Sequence, residues 1–183
     1  MKTTEKISFL FITIIMLIST ENVHSQTSIG GHLGGGFISS NSPNEFSFTS
    51  SLFIETYLSQ EDLLSSRLTF FYAGDFNMLL LKSSRIRYYP FIRGISLKGI
   101  FVQYFTYKIY IEEGLGGVLI DNRIFSDEKE TDYGVVFSLL AGVDLRENNV
   151  NGFRIGAGIE YGLTFTGESP KFFSLHFQTQ YLF

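Results

Sequence analysis

At 183 residues the chain has room for one domain, and a composition of 44% hydrophobic, 16% aromatic and 17% charged residues is too greasy for a surface wetted on every side. The net charge of −4 is small and the Lys and Arg residues are scattered, which removes the basic stripe that would track a nucleic-acid backbone. Cys is absent, excluding disulfides, thiolate metal sites, a cysteine nucleophile and the lipidated cysteine of a lipoprotein.

Lys2 and Lys6 precede the apolar run Ile7 to Ile18, and a polar stretch follows as far as Val23-His24-Ser25-Gln26. This pattern predicts a cleavable signal peptide over residues 1–25, cut before Gln26. The run falls short of the roughly 20 apolar residues of a spanning helix. Removing it takes two Lys and two Glu together, so the net charge stands. No later stretch reaches about 18 uninterrupted apolar residues, so any membrane crossing by residues 26–183 must use strands.

From Gln26 onward the dominant period is two, the mark of strands with unlike faces. The first segment, 27–40, contains Gly30-Gly31-His32-Leu33-Gly34-Gly35-Gly36. No Lys followed by Ser or Thr comes after it, so it is no phosphate loop, and its glycines relieve crowding on a curved strand. Segment 46–59 sets Phe46, Phe48, Leu52 and Ile54 against Ser47, Thr49, Ser51, Glu55 and Tyr57. Segments 64–75 and 79–90 come next, and Phe91-Ile92-Arg93-Gly94 reads as a turn. The stretch 97–119 reads as one long strand or two, because Lys108 is weak punctuation. After the polar connector Asp121 to Asp132 come 131–143 and 152–165. In the last of these Phe153, Ile155, Ala157, Ile159, Tyr161 and Leu163 share one face, and Arg154, Gly156, Gly158, Glu160 and Gly162 the other. The final segment, 172–183, alternates Phe173, Leu175, Phe177, Thr179, Tyr181 and Phe183 with Ser174, His176, Gln178 and Gln180. About eight strands result, an even count that returns both ends to one side.

A soluble sandwich would carry abundant charge on its outward face, and here charge is too sparse. In a transmembrane barrel the pattern inverts, with apolar residues toward lipid and polar ones toward the axis. The expected fold is therefore an all-β, antiparallel up-and-down transmembrane β-barrel over residues 26–183. Its lumen is predicted to hold a polar network of Glu55, Arg67, Arg85, Arg87, Arg154, Glu160 and His176, with Asp144 near a turn. Buried charges must pair, and eight strands leave an interior that side chains nearly fill, so the network reads as packing and not as a conduit. Interfacial aromatic belts are expected from Phe46, Tyr57, Tyr72, Tyr88, Tyr89, Tyr104, Tyr107, Tyr133, Tyr161 and Tyr181.

The leader, the alternating strands and the terminal Tyr181-Leu182-Phe183 resemble the small outer-membrane barrel proteins of Gram-negative bacteria, of the OmpX and OmpA transmembrane-domain type. The resemblance covers essentially the whole of residues 26–183. It implies export to the outer membrane, contact with outer-membrane lipid, and a C-terminal signal for the barrel-assembly machinery formed by Leu175, Phe177, Tyr181 and Phe183, with Thr179 fitting less well.

Ser174, His176 and Glu160 invite an acyl-transfer reading, as in the lipid A deacylase barrels. Those barrels carry His before Ser on an outward face, whereas here Ser174 comes first and Gln178 stands where the Ser would be. No His, Asp and Glu spacing matches a metal site, and no cofactor motif occurs. The sequence therefore reads as a non-enzymatic outer-membrane protein with a structural or surface-contact role and not a general porin. A lipid A deacylase-like enzyme and a lipocalin-like secreted binder are the alternatives. The connector Asp121 to Asp132 is the expected external loop, with trypsin sites at Arg123 and Lys129.

Overall fold

A computed structural model of the chain describes residues 26–39, 45–58, 63–76, 91–122, 130–147, 151–165 and 169–183. The eight strands are β1 (Thr27–Ser39), β2 (Glu45–Tyr57), β3 (Leu64–Asp75), β4 (Phe91–Tyr104), β5 (Ile109–Asn122), β6 (Glu130–Asp144), β7 (Gly152–Thr164) and β8 (Lys171–Leu182). Each pairs antiparallel with the next, and β8 returns to β1 to close a barrel. Closure leaves no edge strand, so no row of backbone N–H and C=O groups needs another partner. Gln26 and Phe183 lie at the same end as the β2–β3, β4–β5 and β6–β7 connections; the other four connections define the opposite, loop end.

The expected strand count of eight matches, but two boundaries move. Phe91 to Gly94 is the start of β4 and not a turn, and 97–119 divides at a tight hairpin over Phe105 to Lys108, where Phe105 N–H donates to the Ile109 carbonyl at 3.0 Å. Segment 79–90 lies outside the described residues, as do residues 1–25 and, with them, the expected signal peptide.

The faces are inverted relative to a soluble protein. On β7 Ile155 and Ile159 are 45% and 40% exposed, and Leu163 is half-buried on the same outward face, whereas Arg154 and Glu160 are 0% and 2% exposed. Outward charges on the described strands are Arg93, Asp121 and Lys171, each within three residues of a strand end, and Glu113, five residues into β5. Between them the outside is an uncharged apolar belt, which suits hydrocarbon.

The interior is less polar than the inversion alone predicts. At the loop end Ile38, Phe71, Ala73, Ile92, Val118, Ile120, Val136 and Phe172 form an apolar layer inside the barrel. The rings of Phe71 and Phe172 stack at 5.0 Å, although β3 and β8 are not neighbours. A second inward cluster, Ile100, Val102, Tyr110 and Leu140, lies toward the other end. Four inward aromatics sit opposite glycines on the adjacent strand: Phe53 on Gly30, Phe71 on Gly94, Tyr110 on Gly142 and Phe172 on Gly162. A Cβ at any of these glycines would collide with the facing ring. The glycines thus make the space that lets large rings fold down against the barrel wall.

Candidate functional site

The densest chemistry lies in the lumen. Period two brings Glu55 (β2), Arg67 (β3), Lys98 (β4), Glu112 (β5), Arg154 and Glu160 (β7) and His176 (β8) to the axis, all buried. Arg67 holds two carboxylates at once. Its Nη2 lies 2.6 Å from Glu55 Oε2 and 2.7 Å from Glu112 Oε2, and its Nη1 donates to Gln178 Oε1 at 3.1 Å. Its guanidinium lies 4.3 Å from the centroid of the Phe53 ring. Ser65 donates a short hydrogen bond to Glu55, and Gln180 Nε2 donates to the same carboxylate at 3.0 Å. Lys98 forms an ion pair with Glu160.

Nearer the end that carries Gln26 and Phe183, Asp144 joins two arginines. Arg154 Nε lies 2.9 Å and Arg146 Nη2 2.7 Å from Asp144 Oδ2. Arg154 donates to the Tyr57 hydroxyl at 2.7 Å and to that of Tyr104, and its guanidinium lies within 5.6 Å of the Tyr57, Tyr104 and Tyr110 ring centroids. Arg146 Nη1 also reaches Gln26 Oε1 at 3.1 Å. Charges of both signs are thereby interleaved along the axis, which offsets the penalty of withdrawing each from water.

Of the residues singled out from sequence, Glu55, Arg67, Arg154, Glu160 and His176 face this lumen. Arg85 and Arg87 lie outside the described residues. Tyr57 and Tyr104 do not join an outer aromatic belt; they turn inward because their hydroxyls serve Arg154. Tyr88 and Tyr89 lie outside the described residues. Lys98, Glu112, Arg146 and Gln180 were not singled out. The signal for Lys98 and Glu112 was present, since both are even-numbered like the inward Ile100 and Tyr110, but 97–119 alternates too weakly to assign a face.

Ser174 and His176 also face the axis. Ser174 Oγ is 2.7 Å from Thr49 Oγ1 and 3.5 Å from His176 Nδ1, and the His176 ring stacks on His32 at 4.1 Å. The cavity beside them, bordered by His32, Lys98, Glu112, Glu160 and His176, measures about 10 Å³, room for one water molecule. An acyl chain cannot enter, which removes the geometric basis of a deacylase. Among the described residues this stretch of the lumen is filled by side chains and leaves no room for a lipocalin-like ligand. Leu175, Phe177 and Tyr181 lie on the outward side of β8, and the exposed Phe183 follows directly after its end.

Solved structures share this architecture. Neisserial surface protein A superposes with a TM-score of 0.67 at 10% identity, over 84% of this chain and 95% of that one. The chain has the fold of the small eight-stranded outer-membrane barrels. Ail, the attachment invasion locus protein of Yersinia pestis, solved in complex with the heparin analogue sucrose octasulfate, superposes at 0.55 with 13% identity, over 87% of this chain and 97% of its own. No protein-family model matches the sequence, and no curated protein does.

Proposed function

We propose that this chain is a small, non-conducting outer-membrane barrel of a Gram-negative envelope, which contributes structure and presents its loop end for contacts at the cell surface. The observation that carries the reading is the inverted pattern, with an apolar belt outside and paired charges on the axis. The fold shared with outer-membrane barrels supports the location. The longest connection, between β3 and β4, falls at the end opposite Gln26 and Phe183, and the longer loops face outward in such barrels. Outer-membrane lipid covers the belt, and the outward Leu175, Phe177, Tyr181 and Phe183 are the residues offered to the barrel-assembly machinery. The role is non-enzymatic, because the candidate Ser and His are sealed in the lumen.

The test is purification and folding of residues 26–183. The reading predicts a protein that requires detergent and whose folded form migrates differently from the boiled one on a denaturing gel. A chain that folds and stays monomeric in buffer without detergent would overturn it.

A further inference from the structure

At the loop end the outside of the barrel carries a groove of about 430 Å³ between β3, β4 and β5. Phe70, Ile95 and Leu119 wall it, and the backbone at Gly94 forms its floor. Arg93, Asp121 and Thr131 close its loop-end rim. The volume lies within the range of sites that enclose small organic molecules. Apolar walls below a single polar rim match a molecule that is greasy along its length and charged at one end.

The rim defines that charged end. Arg93 Nε and Nη2 donate to Asp121 Oδ2 at 2.9 and 2.6 Å, and among the described residues Asp121 is the one ion-pair partner of Arg93. One edge of the guanidinium is therefore fixed by Asp121, while the donors on Nη1 remain available. The side chain is 54% exposed, so it can reach a second anionic oxygen without being uncovered. A guanidinium oriented in this way suits the planar, paired recognition of a phosphate.

We infer that this groove binds one acyl chain of a phosphorylated membrane lipid, with the lipid phosphate on Arg93. This rests on the membrane reading above. Asp121 has two opposed effects in it: it orients Arg93, and its own charge repels the phosphate. Replacing the two residues should therefore act in opposite directions, which a merely structural ion pair would not do.

The experiment is native mass spectrometry of the folded protein in detergent, titrated with lipid A carrying its phosphates, with the same lipid stripped of phosphate, and with inorganic phosphate alone. The wild type should retain one phosphorylated lipid. R93Q should weaken retention about tenfold, the loss of one charge-assisted contact, while D121N should strengthen it. Both variants lie at the rim, where Arg93 is exposed and Asp121 half-buried, and each is first checked for the folded gel mobility. Equal retention of the lipid with and without phosphate, equal retention by wild type and R93Q, or binding of inorganic phosphate as tight as that of the lipid would each overturn the inference. In those cases a protein that still needs detergent keeps the membrane reading intact. A protein that needs none sinks that reading instead.

Discussion

Arg67 holds Glu55 and Glu112 with one guanidinium in a lumen that water scarcely reaches. Arg67→Met leaves both carboxylates buried without it, which should cost about 3–5 kcal/mol. The effect would be read as a lower urea midpoint for unfolding in detergent micelles. Adding Glu55→Gln and Glu112→Gln should recover much of the loss, and an unchanged midpoint in the single variant would show that the network bears no weight. Glycine offers a second contrast. A Cβ at Gly162 runs into the Phe172 ring, whereas one at Gly117 meets nothing within 4 Å. Gly162→Ala should then destabilise by about 1–3 kcal/mol and Gly117→Ala by no more than about 0.5 kcal/mol, compared in the same unfolding assay.

At the level of strands, β2, β7 and β8 were legible because their two faces differ in chemistry: Arg154, Glu160 and four glycines against Phe153, Ile155 and Ile159 leave one register only. β4 and β5 were not, and the reason is the inward apolar clusters. In Leu97-Lys98-Gly99-Ile100-Phe101-Val102 both faces are greasy, so the period vanishes just where the hairpin had to be found. The lumen partners were only half readable for a related reason. Alternation tells which residues face inward, but which of them meet across the axis depends on strand tilt and closure. Closure is itself testable in a chain without native Cys. Leu33 and Phe177 stand opposite each other across the β1–β8 seam, so Leu33→Cys with Phe177→Cys should oxidise to an internal cross-link visible as a gel shift. Leu33→Cys with Gln178→Cys places the thiols on opposite faces and should not. Equal cross-linking of both pairs would mean that the seam has no fixed register.

For the molecule as a whole, the apolar layer around Phe71 and Phe172 caps the polar lumen on the loop side, and ion pairs with a second apolar cluster around Ile100 and Tyr110 fill what lies beneath it. In a membrane, as proposed, ions would meet this apolar constriction and then side chains already paired with one another. Planar-bilayer recordings should accordingly show no stepwise conductance, and regular steps from the folded barrel would contradict a packed lumen. The most direct test of the inversion is a spin label placed in turn at Ile155, Ile159 and Leu163 in lipid vesicles, with collision by oxygen compared with that by a water-soluble nickel chelate. All three sites should collide with oxygen and be shielded from nickel; nickel access along that face would show that it meets water and not acyl chains.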